Sequence, residues 1–252
     1  IGVKVAEGAA LMTDTKFTYE VLGSAWPGHF NKPMAEAMYE NIKKVGLPKW
    51  SDEDQLLAKA SQIELKAPKV DGLAVKLDTI SLPSPTGPVN VMGRQLMAMG
   101  GGSDDIADIS WTVPTIVLRY PSNIPGLPGH HWSNAISMAT PIAHKGIVFG
   151  AKAEVMTLLD LLLKPEILKN SWEYYRTEQT KDLQYTPLVG EKDMPAITLN
   201  KKIMEEYAPK LKPFYYNPAK YKTYLDQLGI VYPTVRPDQK EEIKKLEEKK
   251  GK

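Results

Sequence analysis

The strongest predicted helix covers residues 141–164, with the sequence PIAHKGIVFGAKAEVMTLLDLLLK. It ends just before Pro165, because proline has no backbone N–H to donate and its ring disrupts a helix interior. Gly146 and Gly150 are one helical turn apart and carry no side chain, so this helix is predicted to pack closely against a sheet. A second helix is predicted over residues 165–178.

Helices are also predicted upstream, from their end signals. Residues 2–12 are typical of the last part of a helix. Asn31 is a good N-cap for the next helix, in which an apolar stripe follows at helical spacing, and Gly46 ends it. Ser51 begins another helix, and the three acidic residues after it favour the positive end of the helix dipole.

Strands are predicted from runs of alternating or β-branched residues. Residues 15–22 alternate, residues 73–81 and 89–92 are expected to be extended, and residues 112–120 are typical of a buried strand. Pro114 suggests that this last strand lies at an edge or contains a bulge. Strands mixed with helices in this way predict an α/β fold.

Proline is frequent over residues 185–237, so this stretch is predicted to wrap the surface, with short helices near 200–207 and 218–228. The end of the chain, residues 238–252, is rich in charge and has only two apolar side chains. This pattern predicts a solvated or frayed terminal helix. We find no internal repeat.

Composition excludes several classes of protein. The chain has 252 residues, a net charge of +2 and no cysteine. The low charge and the absence of a basic, aromatic patch argue against nucleic-acid binding, and no apolar run reaches the ~20 residues needed to span a bilayer. The lack of cysteine removes disulfides, thiol catalysis and cysteine-ligated zinc. The bacterial cytoplasm is favoured and the periplasm stays open, since a chain that starts at Ile1 rather than Met leaves the question of a signal peptide open.

Histidines and aspartates are concentrated in one part of the chain. The stretch 101–111, GGSDDIADISW, is followed by GHHW at 129–132 and AHKG at 143–146, so three of the four histidines fall within 44 residues with a cluster of aspartates. Imidazole and carboxylate groups are common metal ligands. The cluster predicts a metal site, but it is too small to be a complete hydrolytic site.

In the order and spacing of these motifs the chain resembles the aminobenzoyl-glutamate utilisation protein B group, within the di-zinc aminoacylase and carboxypeptidase metallohydrolase superfamily. The resemblance covers roughly residues 1–235. The segments that carry it are AEGAALMT (6–13), WPGHFNKPMAEA (26–37), GSDDIADISW (102–111), HHW (130–132) and PIAHKG (141–146).

The resemblance implies a zinc-peptidase-like catalytic domain and a smaller α+β lid domain inserted into it, which mediates dimerisation. It divides this chain into the last helix and strand of the lid at 1–24, the C-terminal part of the catalytic domain at 25–237 and the charged tail at 238–252. The family's first histidine ligand, bridging aspartate and general-base glutamate would lie upstream. This chain alone is therefore expected to be inactive.

The resemblance assigns one metal ligand, His130, on a loop after a strand. A ligand imidazole must be neutral, with its other nitrogen held by a hydrogen-bond acceptor. His131 stands where the family has a small polar residue, and we interpret it as a bystander rather than a competing ligand.

Four polar residues, Ser103, Asp104, Asp105 and Asp108, are predicted to form a loop before the buried strand. They could orient His130 or contact the substrate, or they could form a capped turn in which Ser and Asp bond their own backbone. Both interpretations stay open at this stage.

Other residues near the predicted site have alternatives as well. Trp132 could line the substrate pocket or simply pack. His144, in the first turn of a helix, is expected to be neutral because the helix dipole disfavours its charge, and it could pack or lie near the site. We interpret His29 as a loop residue rather than a substrate contact. Arg119, in the predicted strand, is a weak candidate for binding a substrate carboxylate.

The function predicted by resemblance is hydrolysis of N-acyl or N-aroyl amino acids, small amides of the aminobenzoyl-glutamate type. Two divalent ions, zinc or alternatively manganese or cobalt, would polarise the amide carbonyl and activate a water, and the upstream glutamate would transfer its proton to the leaving amine. The expected partners are an N-terminal half, in the same or a separate polypeptide, and a second copy bound through the lid.

A second hypothesis is a non-catalytic partner or binding subunit that assembles with a separate polypeptide. A large exposed apolar patch would indicate such association. A truncated product without an independent role is a third, weaker alternative.

Overall fold

The computed structural model describes residues 1–78 and 105–250, and this part of the protein consists of helices joined by loops. A π-helical turn, Tyr175–Gln179, and a 3-10 turn, Lys212–Phe214, extend two of the helices. The α-helices in chain order are α1 (Gly2–Met12), α2 (Lys32–Val45), α3 (Asp52–Glu64), α4 (Asp105–Ser110), α5 (Ser133–Met138), α6 (Pro141–Leu163), α7 (Pro165–Tyr174), α8 (Lys201–Leu211), α9 (Tyr224–Leu228) and α10 (Pro237–Lys250).

The predicted α/β fold is wrong, because the described residues contain no β-strand. The segments 15–22 and 112–120, both predicted as strands, are loops, and so is the described part of 73–81. The extended segment predicted at 89–92 lies outside the described residues. Because residues 15–22 form a loop, the expected last strand of an α+β lid within residues 1–24 is also wrong.

A strand needs a second strand, and this requirement explains the error. Alternating apolar residues give a segment the propensity for a strand, but its backbone groups must pair across a ladder. Here the carbonyl of Thr115 instead accepts a hydrogen bond from the N–H of Asn31, at 2.8 Å. Local patterning could not specify this contact between segments far apart in sequence.

The helix ends predicted from local signals are confirmed. Asn31 caps α2, since its side chain accepts a hydrogen bond from the N–H of Met34 at 3.3 Å, and Gly46 follows the helix with a φ of 71°. Ser51 and Asp54 form a capping box at the start of α3, in which each side chain accepts a hydrogen bond from the other's backbone N–H. Such caps satisfy backbone donors that the helix itself leaves free.

The long helix α6 lies at the centre of the packing and contacts α2, α5 and α7. Near its start, Ile142 is fully buried in a cluster with Ala58 of α3, Leu73 and Ile124. This cluster joins the N-terminal helices to the loop that precedes α5. The loop, which carries His130, is thereby fixed against the core on one side.

Gly146 and Gly150 permit a close approach, as predicted, but to a loop and not to a sheet. A Cβ atom added at Gly146 would lie 2.1 Å from the carbonyl oxygen of Pro121 and 2.5 Å from the Cα of Ser122. One turn later, a Cβ at Gly150 would lie 3.1 Å from the Cβ of Tyr120. The chain over 120–122 therefore crosses α6 at a distance that only glycine allows at Gly146.

A buried carboxylate connects α3, α6 and the segment before α10. The Asp54 side chain is 1% exposed and accepts hydrogen bonds from Lys145 Nζ at 2.5 Å, from the Tyr232 hydroxyl at 2.7 Å and from the N–H of Ser51 at 2.9 Å. Burial opposes ionisation of Asp54, but Lys145 and Ser51 outweigh it and hold the pKa of the carboxyl below its usual value. The pair therefore stabilises the fold above the ordinary carboxyl pKa and is lost as the pH falls through the lowered one.

The C-terminal part is more packed than predicted. The short helices expected near 200–207 and 218–228 correspond to α8 and α9. The terminal helix expected over 238–252 is α10, but it is not fully solvated, since Ile243 and Gln239 are buried and α10 contacts α3. One apolar side chain per few turns is enough to dock a charged helix when a partner surface is available.

One side of α6 is apolar and exposed, and we call it the apolar face of α6. It includes Leu162, which is 79% exposed, and at 3.6 residues per turn its members fall within about half of the helix circumference. Its members are Ile147, Val148, Val155, Leu158, Leu159, Leu162 and Leu163. Despite this composition, no helix in the described ranges has both the length and the apolar character needed to cross a membrane.

Gly146→Ala should destabilise the protein by about 2 kcal/mol or more, because the new methyl group would overlap backbone atoms of Pro121 and Ser122, which cannot move aside as a side-chain end can. Urea unfolding followed by circular dichroism measures the change. Gly8→Ala is the matched control, since nothing lies within 4 Å of its added Cβ and Ala is favoured in a helix by roughly 0.5–1 kcal/mol. Equal effects of the two changes would contradict the close crossing.

Candidate functional site

His130 lies on an exposed turn before α5, so its predicted location on a loop is confirmed, although no strand precedes it within the described residues. Its φ is 50°, in the left-handed region that non-glycine residues rarely adopt. Within the described chain its ring makes no hydrogen bond, ion pair or ring contact. Both imidazole nitrogens are therefore accessible.

The neighbouring aromatic residues have local contacts. His131 Nδ1 lies 2.8 Å from Ser133 Oγ and accepts a hydrogen bond from the N–H of Ser133 at 3.3 Å. Trp132 is 67% exposed and its ring lies 5.0 Å from that of His131. His144 is in the first turn of α6, as predicted, and is exposed. None of these three contacts the ring of His130.

The described residues do not form a complete metal site. Among them, no group of three or more His, Cys, Asp or Glu side chains is placed to hold a metal ion. A catalytic zinc ion needs about three protein ligands, and His130 would supply one. Ser103 and Asp104, predicted to lie near the site, are outside the described residues.

Asp108 has a different environment from the one predicted. Residues 105–110 form the helix α4 and not a polar loop, and Asp105 at its start is exposed. The Asp108 carboxylate accepts hydrogen bonds from the N–H of Trp26 at 3.2 Å and from the hydroxyl of Tyr185 at 2.9 Å. The second bond raises the pKa of Tyr185, because it stabilises the protonated phenol beside a negative charge.

These contacts belong to an aromatic cluster formed by Trp26, His29, Trp111, Tyr175 and Tyr185. Ring centroids lie 5.2 Å apart for Trp26 and Trp111, 5.4 Å apart for Trp26 and Tyr185, and 4.3 Å apart for His29 and Trp111. The three pairs are edge-to-face, which the charge distribution of aromatic rings favours. Each indole N–H and the Tyr175 hydroxyl also donates to a backbone carbonyl.

The cluster joins segments far apart in the chain: the loop before α2, the end of α4 and the residues from 175 to 186. The N–H of His29 donates to Ser110 Oγ at 3.2 Å, and Gly28 approaches the backbone of Ala107 so closely that an added Cβ would lie 3.3 Å from its Cα. Burial lowers the pKa of His29.

Sequence analysis placed His29 correctly in a loop but missed its packed environment. The sequence held one signal of this packing. Trp26, His29 and Trp111 all lie in segments that carry the resemblance. Arg119, predicted in a buried strand, is exposed.

Asp108→Ala should lower the free energy of unfolding by about 1–3 kcal/mol, because it leaves the Trp26 N–H and the Tyr185 hydroxyl without their acceptor. It should also change tryptophan fluorescence, since Trp26 packs on Trp111. Asp105→Ala is the control and should change stability by less than about 0.5 kcal/mol, because Asp105 is exposed. An Asp108→Ala protein with wild-type stability and fluorescence would contradict this structural role.

Comparison with known proteins gives one informative match. The chain is 27% identical, over 196 aligned residues, to one of the subunits of p-aminobenzoyl-glutamate hydrolase from Escherichia coli strain K12. The match spans 72% of this chain and 40% of the relative's length. No family model matches the chain, and no solved structure matches it. The resemblance inferred from the sequence motifs is thus confirmed: this chain is similar to an aminobenzoyl-glutamate hydrolase subunit.

Proposed function

We propose that this chain is part of a hydrolase that cleaves the amide bond of N-acyl or N-aroyl amino acids. The observation that carries the proposal is the match to the p-aminobenzoyl-glutamate hydrolase subunit, which spans most of this chain. The match covers 40% of the relative's length, so we propose that this chain supplies part of such an enzyme and not the whole of it. The substrate class is small amides that end in a carboxylate.

A divalent metal fits the proposal through His130 alone. The His130 imidazole is exposed and unpaired within the described residues, so its nitrogens are available as ligands. Bound zinc, or alternatively manganese or cobalt, would polarise the amide carbonyl and lower the pKa of a water. The other ligands, and the glutamate that would act as general base, must come from outside the described residues.

His130→Ala should lower both metal content and amide hydrolysis in the protein purified with any polypeptide that accompanies it. We expect a loss of activity larger than the ~10–100-fold that changes in outer-shell residues cause, because a direct ligand is removed. Metal is measured by elemental mass spectrometry and hydrolysis by release of 4-aminobenzoate from 4-aminobenzoyl-glutamate.

His144→Ala is the matched control, since His144 is also an exposed histidine. Its metal content and activity should stay within about twofold of wild type. Unchanged metal and activity in His130→Ala would exclude His130 as a ligand. If the wild-type protein holds metal but does not cleave the amide, His130 can still be a metal ligand, but the proposed hydrolase activity is contradicted.

The second candidate, a partner or binding subunit, is supported by an exposed apolar surface. The apolar face of α6 places seven large apolar side chains in contact with solvent. Patches of this kind mark sites of association, because covering them releases water from apolar surface. The matched relative is itself named as one subunit of an enzyme.

We therefore propose that the apolar face of α6 packs against another polypeptide. Apart from the exposed Lys152, this side of α6 is mostly apolar, so a complementary surface would be mainly apolar, as in the centre of a stable interface. This association is compatible with both candidate functions. The hydrolysis assay above distinguishes them.

Leu158→Glu combined with Leu162→Glu should dissociate the assembly, because two carboxylates would be buried without partners. Native mass spectrometry and light scattering measure the mass of the complex. Leu188→Glu combined with Leu199→Glu is the control, since both leucines are also exposed but lie outside α6. An identical native mass for wild type and both double variants would contradict the proposed interface.

A further inference from the structure

Three polar side chains form a directed hydrogen-bond chain beside the aromatic cluster. Asn31 Nδ2 donates to Gln179 Oε1 at 2.9 Å and to the carbonyl of Ser171, also at 2.9 Å. Gln179 Nε2 in turn donates to His29 Nδ1. Gln179 closes the π-helical turn after α7, a rare geometry that is frequent at functional positions.

Because Asn31 caps α2, the direction of each hydrogen bond among Asn31, Gln179 and His29 is fixed. Asn31 Oδ1 accepts the N–H of Met34, so the atom that faces Gln179 must be the donor Nδ2. Gln179 must then present Oε1 to Asn31 and Nε2 to His29. Neither amide can rotate by half a turn without placing two donors, or two acceptors, against each other.

These hydrogen bonds therefore select one neutral tautomer of His29. Because Nδ1 receives a hydrogen bond from Gln179, its proton is absent and the imidazole is neutral, with its proton on Nε2. Nε2 is buried and has no hydrogen-bond partner within the described residues. The His29 ring is held edge-to-face against Trp111 instead.

Among the described residues, no charged group next to His29 compensates a positive charge on it. The Tyr175 ring lies 6.5 Å from that of His29 and its hydroxyl donates to the carbonyl of Trp111, and the Asp108 oxygens accept from Trp26 and Tyr185. Arg176 and Glu178, in the same turn as Gln179, are exposed. Ser110, which accepts the backbone N–H of His29, is uncharged.

We propose that Asn31, Gln179 and His29 form an acid-sensitive latch. While His29 is neutral, the latch holds the loop 23–31 against the end of α4 and the turn after α7. A proton on Nδ1 faces the Gln179 N–H, and Gln179 cannot turn because Asn31 holds its oxygen. Protonation thus breaks the contact of His29 with Gln179 and changes the environment of Trp111, against which the His29 ring packs.

The sign of the pH dependence follows from the direction of the shift. Burial lowers the pKa of His29 in the folded protein, so its neutral form is favoured there. The latch is intact above the usual histidine pKa of about 6.5 and is lost as the pH falls through the lowered value.

Gln179→Glu tests the latch directly. The new carboxylate can accept from both Asn31 Nδ2 and a protonated His29 Nδ1, so it should raise the transition of His29 by at least about one pH unit. The transition is measured on the intact protein by NMR of the four imidazole signals and by tryptophan fluorescence. In the wild type, His29 should titrate below the usual histidine pKa of about 6.5, together with the fluorescence change.

Glu178→Gln is the matched control, because it changes the charge of the same turn at an exposed position. It should leave the transition within about 0.3 pH units of wild type, as expected for an exposed charge in high dielectric. His29→Gln should remove the fluorescence transition expected below the usual histidine pKa of about 6.5. If Gln179→Glu does not move the His29 titration, or if the fluorescence transition persists in His29→Gln, the latch is wrong.

Discussion

The close crossing of α6 and the chain at 120–122 is the constraint on which the rest of the fold depends. Gly146 brings the helix backbone next to Pro121 and Ser122, where any larger residue would overlap backbone atoms. From this crossing the chain continues to Ile124 in the core and then to the turn that carries His130. The position of that turn thus depends on a contact made by a residue without a side chain.

A second set of contacts joins parts of the chain that local helix formation cannot connect. Asp108 binds the N–H of Trp26 and the hydroxyl of Tyr185, and the aromatic cluster packs around these bonds. Asp108, for which the sequence left open a role beside His130 or a capped turn, joins distant loops within the described residues. Beside this cluster, the proposed latch of Asn31 and Gln179 holds His29 in a neutral form, which gives the region a sensitivity to acid.

The two sides of α6 have different chemical consequences. One side is buried against α2 and, through Lys145, is tied to the buried carboxylate of Asp54. The apolar face of α6 remains in solvent, and burial of such side chains contributes about 25 cal/mol for each Å² removed from water. This difference supports an assembly in which α6 lies between this chain and a partner, whether the assembly is a hydrolase or a binding complex.

The sequence by itself determined the longer helices, their caps at Asn31 and Ser51, and the resemblance to a hydrolase subunit that comparison confirmed. These features depend on neighbours within about one helical turn, or on residue identity alone. The metal role of His130 stays a prediction. Only the tertiary structure showed that 112–120 is a loop and that Asp108 and His29 belong to one packed cluster. Pairing of strands and of side chains from distant segments is set by the whole fold, so no local pattern encodes it.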